Sequence, residues 1–342
     1  MLDERKRKIL RAIINDYILT AEPVGSRTIA RNHDLGVSPA TIRNEMADLE
    51  ALGYIEQPHT SAGRVPSGQG YRFYVDCLLA PTMLSENDEV LIRSWYEAKV
   101  RSLEQVFQET AKILSRMTRN VSLVLAPQFS NLTFKYLQFL PLDNKRIILV
   151  IVTSSGYVEN KVINLPADMA FSDLQRLADI INNRLAGLSL DKIKLSFLQK
   201  IKNDILVDSD LYKSMLEILR RALSFEKDKR VYLGGTTQLI SQPEFRDVDK
   251  VKELLTMLEE EPLLCDILHV PDNDGVVVTI GQENKYSGIK DCSMVQATYR
   301  VDGMVIGTVA VLGPTRMDYG KIMAILDFMH DHLGEVLRKY KF

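Results

Sequence analysis

The residues best suited to recognising another molecule lie on one side of a single predicted helix. Asn44 carries donors and acceptors on one planar amide, and Arg43 beside it carries a fixed charge with several donors. At about 100° per residue, the other positions at this side hold Ala40, Ala47 and Ala51, with Thr41 at its border. Since a solvated face normally carries long charged residues, small side chains around an Asn suit a helix that enters the major groove of DNA. We expect base contacts from Ala40, Thr41, Arg43 and Asn44.

Three helices are needed to position this face. Apolar residues at the three-four spacing of one helix face predict a first helix from Asp3 to Leu19. Ser26 is a credible N-cap for a second helix over 27–33, and Ser38 followed by Pro39 starts a third that runs to Leu52. Gly53 supplies a left-handed stop, and the inward side of the third helix carries Ile42, Met46 and Leu49.

A short hairpin is predicted next, with strands at 54–57 and 64–66 and a loop of hydrogen-bond donors that contains no acid. Such a loop is suited to contact the sugar-phosphate backbone or the minor groove. The candidates in this wing are His59, Thr60, Ser61 and Arg64, and those for phosphate near the helix starts are Ser26, Arg27 and Ser38. Residues 1–75 therefore predict a winged helix-turn-helix. The alternative is a three-helix module that binds protein.

Charge does not decide the partner. The net charge of the 342 residues is −2, and residues 1–75 hold 10 Lys and Arg against 9 Asp and Glu. The three cysteines are too few and too far apart for a disulfide framework, which indicates a reducing compartment. No secretory signal and no apolar run of membrane-spanning length are visible. We expect a cytoplasmic protein without a membrane partner, at the nucleoid when it is bound to DNA.

The remaining chain alternates between strand and helix patterns. A long helix is predicted over 85–119, followed by strands at 121–126, 134–142, 146–153 and 157–163 that continue one sheet. Residues 172–259 are mostly helical in pattern, including a helix with Leu211, Met215 and Leu223. Strands return at 275–280, 292–299 and 304–312, and a last helix spans 318–337. This order indicates an α+β multidomain fold.

Catalytic and metal-binding patterns give no positive signal. The sequence has no C-x-x-C or H-E-x-x-H spacing and no nucleophile elbow, so we expect no enzyme, metal or cofactor. Cys292 falls in a strand and is expected in the core, while Arg316 and Asp318 are expected to hold a loop and cap the last helix. The string Ile280–Asn284 follows a strand and either forms a structural turn or lines a pocket.

Several strings of this sequence closely resemble one family. They are 36–46, 49–50, 53–55, 58–66, 70–72, 234–236, 243–245, 280–284 and 313–319, and they span nearly the whole chain. The family is HrcA, the heat-inducible transcription repressors of bacteria. The resemblance implies a GAF-like α/β sheet domain in two segments, 85–165 and 265–342. It also implies an inserted, mainly helical dimerisation domain at 166–264.

The resemblance also implies a function. Such repressors bind double-stranded DNA as a homodimer, at an inverted-repeat operator called CIRCE ahead of the chaperonin and Hsp70 operons. They need the chaperonin GroEL to stay active, so heat relieves repression when misfolded proteins occupy the chaperonin. The alternative that stays open is a winged-helix repressor controlled by a small ligand in the GAF-like domain.

Overall fold

A computed structural model describes residues 2–59, 62–80, 82–99, 103–126, 133–143, 145–154, 158–165, 170–188, 231–269, 275–301 and 304–339. These residues fall into two compact units. The first comprises the described parts of Met1–Leu125, Val231–Arg300 and Thr308–Leu333, and the second those of Ala126–Arg230, Val301–Gly307 and Gly334–Phe342.

The amino-terminal module, called the head below, is a three-helix assembly with a two-stranded wing and a short closing helix. Its elements are α1 (Glu4–Thr20), α2 (Ser26–Asn32), α3 (Pro39–Ala51), β1 (Ile55–Glu56), β2 (Val65–Pro66) and α4 (Gly68–Phe73), followed by a π-helical turn (Tyr74–Leu78). Asp3 caps α1 by accepting from the Lys6 N–H at 2.8 Å. These helices and strands confirm the predicted order.

One predicted cap in the head is wrong. Ser26 is the first residue of α2 itself, and Gly25 takes the N-cap position without a side-chain hydrogen bond. The helix is thus shifted by one residue, because Val24 pairs with Arg64 through both backbone groups at 2.9 Å and fixes where the extended chain ends.

The rest of the first unit is a five-stranded sheet between helices. Its elements are α5 (Glu86–Lys99), α6 (Leu103–Thr118), β3 (Val121–Leu125), β7 (Val231–Gly234), α8 (Val248–Glu259), α9 (Glu261–Leu268), β8 (Val276–Ile280), β9 (Cys292–Val301), β10 (Met304–Pro314) and α10 (Tyr319–Lys339). The strand order is β7-β3-β10-β9-β8. Helices α8 and α9 cover one face with a core that includes Leu254, Leu264 and Met294. The Phe107 ring of α6 packs against Tyr299 on the other face.

The second unit contains a separate, smaller sheet. Its strands are β4 (Phe134–Pro141), β5 (Arg146–Thr153) and β6 (Val158–Asn164), paired in the order β4-β5-β6. Helix α7 (Phe171–Leu185) buries Leu177 and Ile181, and its Asn182 bonds both backbone groups of Leu137 in β4. The connection from β4 to β5 is closed by the Asp143 carboxylate, which accepts from the Lys145 and Arg146 N–H groups. Asn144 lies outside the described residues.

The prediction of one continuous sheet is wrong. Strand β3 is paired on one side with β7 and on the other with β10, so β4 cannot pair with the strand that precedes it in the chain. Because β7 and α8 join β3 and its core, residues 231–264 belong to the first unit, whereas the family resemblance implied that they are part of the inserted domain. The strands at 134–163, assigned to the sheet domain, lie in the second unit instead.

Two of the helix predictions involve residues outside the described part of the chain. The long helix predicted over 85–119 appears as α5 and α6, and residues 100–102 between them lie outside the described part of the chain. The predicted helix around Leu211, Met215 and Leu223 also lies outside it. Among the helices that the structure describes, none combines the length and the apolar character that a bilayer crossing requires.

Candidate nucleic-acid interface

Helix α3 places its two sides in opposite environments. The Ser38 hydroxyl caps the helix by accepting from the Thr41 N–H at 3.2 Å, which fixes its first turn. Ile42, Met46 and Leu49 are buried against α1 and α2. The side that turns away is exposed over its whole length: Ala40, Arg43, Asn44, Ala47 and Ala51, with Thr41 half-buried. The small residues thus form a slim exposed ridge, as the sequence predicted, with the Asn44 amide at its middle.

The acidic residues of α3 are neutralised by other parts of the head. Glu45 lies 2.8 Å from the Lys6 ammonium group, and the same group lies 3.0 Å from Asp48. Glu50 binds Arg64 of the wing. Since an unpaired carboxylate repels phosphate, these pairs reduce the electrostatic cost of bringing α3 next to a duplex.

Three exposed arginines keep their charge available. Arg27, Arg31 and Arg43 are exposed, and within the described residues they form no hydrogen bond or ion pair. Arg27 and Arg43 are on the predicted contact set. Arg31 of α2 was not among the predicted contacts. Its neighbours Asn32 and His33 hydrogen-bond to Asp16 of α1, whereas Arg31 itself is exposed. These three guanidinium groups are therefore positioned to add positive charge at the exposed side of the head.

The wing is anchored at its base. Ile55 pairs with Pro66 and Glu56 with Val65, and Arg64 adds the backbone bridge to Val24. His59 is exposed near the tip. Thr60 and Ser61, also predicted as contacts, lie outside the described residues.

The side chain of Arg64 was expected to be available for DNA, but in the structure it is paired with Glu50. Its guanidinium donates from Nε to Glu50 Oε2 at 2.9 Å, and its Nη2 lies 2.7 Å from the same oxygen. The side chain therefore ties the wing to α3 in this state of the protein, and the predicted phosphate contact would have to be made by its remaining donors.

Substitutions at Arg64 and Glu50 can distinguish a phosphate contact by Arg64 from its role in holding the wing on α3. Arg64→Ala is expected to weaken binding to every DNA sequence and to reduce the salt slope by about one contact. Part of the lost affinity should return in Glu50→Gln/Arg64→Ala, because the second change removes the carboxylate left unpaired beside the phosphates. Fluorescence anisotropy over a salt series measures both effects. An unchanged slope would limit Arg64 to holding the wing on α3.

The head is joined to the sheet of the first unit through two arginines. Arg72 of α4 donates to Glu283 Oε1 at 2.9 Å and to the Val278 carbonyl at 2.7 Å. In the opposite direction, Arg316 donates to the Ile18 carbonyl of α1 at 3.2 Å and to Gln242 at 2.8 Å. Asp318 caps α10 by accepting from the Lys321 N–H, as predicted. The reach of Arg316 to the head was not predicted, since nothing local in the sequence pairs residues 298 positions apart.

The Arg72–Glu283 contact makes the stability of the fold depend on pH. Burial disfavours the charged form of Glu283, but hydrogen bonds from Arg72 and from the Ile280 N–H outweigh it, so its pKa lies below the ordinary 4.5. A depressed carboxyl pKa stabilises the fold above the unfolded-state value, and this stabilisation is lost as the pH falls through the folded-state value. We expect the melting temperature of wild type to exceed that of Glu283→Gln at neutral pH. The gap should close below about pH 4.5; a gap that stays constant with pH would contradict the assignment.

Cys292 and the string Ile280–Asn284 occupy structural positions in the first unit. The described residues contain no group of three or more His, Cys, Asp or Glu side chains placed to hold a metal ion. Cys292 is buried in the sheet as predicted, and burial raises the pKa of its thiol to about 12, so it stays protonated. The string Ile280–Asn284 is a structural turn, because Asn284 donates to the Gly281, Ile289 and Cys292 carbonyls, and it also borders a cavity.

A slim exposed helix, free arginines and a wing define a winged helix-turn-helix DNA-binding protein. Comparison with known families agrees, because residues 1–75 match a winged helix-turn-helix transcription repressor domain described as HrcA DNA-binding. Residues 104–323 match the HrcA protein C-terminal domain. The chain belongs to the HrcA family of heat-inducible transcription repressors.

Individual relatives extend over nearly the full length. The heat-inducible transcription repressor HrcA of Pelotomaculum thermopropionicum is 46% identical, across 99% of this chain and 97% of that protein. The corresponding protein of Desulfitobacterium hafniense is 45% identical, across 98% of each. A crystal structure described as that of a hypothetical protein is 23% identical and covers 99% of this chain and 100% of its own, with a TM-score of 0.68, which shows a shared fold.

Proposed function

We propose that this repressor controls class I heat-shock operons, those of the chaperonin and of Hsp70, by binding a CIRCE-type inverted repeat as a dimer. The observation that carries the proposal is the exposed ridge of α3, with its acids paired to Lys6 and Arg64. In this proposal Ala40, Thr41, Arg43 and Asn44 read the bases. His59, Thr60, Ser61 and Arg64 contact the backbone or minor groove from the wing, and Ser26, Arg27 and Ser38 contact phosphate.

Two heads on one duplex require a symmetric dimer, since an inverted repeat has two-fold symmetry. The second unit offers a surface for it. The face of the β4-β5-β6 sheet opposite α7 carries four exposed apolar side chains beside the polar Gln138 and Asn160: Tyr136 41%, Leu140 39%, Val158 52% and Val162 59% exposed. We assign this face to the dimer contact with a second copy, so the second unit would be the dimerisation domain. We assign the five-stranded sheet of the first unit to the GAF-like domain.

A charge on this sheet face tests the dimer. Val162→Lys is expected to shift the protein toward monomer, because it places an ammonium group on an apolar contact. Asn183→Lys is the matched control, since it adds the same charge at an exposed helical position of the same unit. Light scattering coupled to gel filtration measures the mass. If both variants kept the same mass as wild type, the dimer would lie elsewhere.

We further propose that heat relieves repression through the chaperonin GroEL. A repressor whose native state is only marginally stable loses its DNA-binding form when chaperonin is occupied by misfolded proteins. The protein would act in the bacterial cytoplasm, where its operators lie.

A mobility-shift assay tests the proposal as a whole. The purified protein should bind a promoter fragment with an intact CIRCE inverted repeat and bind one half-site much more weakly. Heating should abolish the shift, and GroEL with ATP should restore it. Equal binding of intact and scrambled repeats would overturn the operator assignment, and recovery without GroEL would overturn the chaperonin control.

A further inference from the structure

A cavity of about 260 Å³ lies on the α9 side of the five-stranded sheet, at the edge strand β8. Its floor comes from paired positions of β8 and β9, where Val277 stands opposite Gln296 and Thr279 opposite Met294. The end of α9 forms one wall, and the turn Glu283–Tyr286 forms another. The described residues that line the cavity therefore all belong to the first unit.

Among the polar side chains that line this cavity, Thr279 and Asn284 are satisfied within the protein, whereas Gln296 is not. The Thr279 hydroxyl donates to Asn284 Oδ1 at 2.9 Å, and the Asn284 amide N–H₂ donates to three carbonyls. Gln296 is only 7% exposed, and its Oε1 has no hydrogen-bond partner. A buried carbonyl oxygen without a partner is costly, so its presence on a cavity floor points to a group that arrives from outside.

The distribution of charge restricts that group. The charged residues around the cavity, Asp266, Glu283 and Lys285, are all exposed at the rim, and Glu283 is already bound by Arg72. The floor around Gln296 is apolar apart from the satisfied Thr279. Since an ion placed there would be desolvated without a counter-ion, the buried part of a ligand has to be neutral.

We propose that this cavity binds a small, uncharged molecule with an amide or lactam edge, such as a pyrimidine or purine base. An edge with an N–H donor beside a carbonyl acceptor matches the carboxamide of Gln296, which itself has one acceptor and two donors. The flat apolar remainder would lie against Val277, Met294 and Ile289. Apolar side chains on the floor with a few convergent polar groups are typical of small-molecule sites.

The same turn connects the cavity to the head. Glu283 borders the cavity and also holds Arg72 of α4, while its Oε2 accepts from the Ile280 N–H at 2.8 Å. A ligand that contacts this turn would therefore change how Glu283 holds Arg72, and with it the position of the head on the sheet. This coupling rests on the proposed DNA-binding function, whereas ligand binding by itself does not, so the two are measured separately.

The binding test uses the full-length protein without DNA. Calorimetric titration with uracil and hypoxanthine should give saturable binding, while 1,3-dimethyluracil, which has lost its N–H donors, should bind at least about tenfold more weakly. Gln296→Leu should cause a loss of similar size for uracil, and Gln282→Ala, at an exposed position of the same turn, should cause none. Binding of L-leucine but neither base would overturn the ligand class, and no saturable binding of any of these compounds would overturn the site.

The melting temperature of the ligand-free protein gives a second test of the site. Gln296→Leu replaces an unpartnered buried amide by an apolar group of similar size, so the melting temperature of the free protein should rise. A fall would show that the carboxamide already has an internal role.

The coupling is tested with Arg72→Ala, which lies outside the cavity lining. This variant should bind uracil as wild type does, yet uracil should no longer change its affinity for operator DNA. An undiminished effect of uracil on DNA affinity would overturn the coupling through Arg72. If the protein failed to bind operator DNA at all, the calorimetric result would still decide the cavity.

Discussion

Asn44→Ala is expected to weaken binding to the specific operator by about 1–3 kcal/mol and to change binding to random DNA much less. The reason is the position of the amide. It stands at the middle of an exposed ridge of alanines on α3, where its donors and acceptor are free to pair with a base edge. Removing it takes away sequence reading but leaves every cation of the head in place.

Two controls make this result interpretable. Gln69→Ala removes a carboxamide of the same type from an exposed position on α4, outside the predicted contacts, and should leave operator affinity unchanged. Ala47→Leu keeps Asn44 but thickens the ridge, and it should weaken operator binding because the helix backbone cannot approach the groove floor as closely. Anisotropy titrations on operator and scrambled DNA measure all three variants. Equal losses on both DNAs would move Asn44 to a backbone contact.

Gly70→Ala is expected to destabilise the head by about 1–3 kcal/mol or more, the usual cost of overpacking. A Cβ at this position would lie 2.1 Å from the Tyr54 carbonyl oxygen, far inside contact distance. That oxygen cannot move away easily, because it accepts from the Ser67 N–H at 3.1 Å. The Ser67 hydroxyl in turn caps α4 by accepting from the Gly70 N–H at 3.0 Å. The added methyl group therefore disturbs both the wing base and the α4 cap.

Gly68→Ala is the matched control, since a Cβ there meets nothing within 4 Å and the residue is also in α4. Alanine favours helix over glycine by up to about 1 kcal/mol, so this variant should be neutral or slightly more stable. Melting temperatures of the full-length variants give the comparison. Similar melting temperatures for Gly68→Ala and Gly70→Ala would show that the Tyr54 carbonyl yields at little cost.

The head could be predicted from sequence because its signals are local. Ile9, Ile13 and Tyr17 recur every four residues on one helix face, and Ser38-Pro39 is a helix start. Both signals depend on residues within about one helical turn of each other. The slim side of α3 follows from the same periodicity, since the side with Ile42 and Met46 has to be buried. The roles of the contact residues remain predictions until DNA binding is measured.

What the tertiary structure decided depends on competition between distant segments. The four residues of β7 carry too short a pattern to be recognised, and they become a strand because β3 offers an edge. Because β3 then has β7 on one side and β10 on the other, β4 cannot pair with β3, and it forms a separate sheet with β5 and β6. The Arg64–Glu50 pair, the Arg72–Glu283 pair and the unpartnered Gln296 above its cavity likewise arise only when distant segments meet. Local hydrogen bonds depend on neighbouring residues, so the sequence shows them. The partner of a strand or of a charged side chain depends instead on which combination of distant contacts gives the lowest free energy for the whole fold.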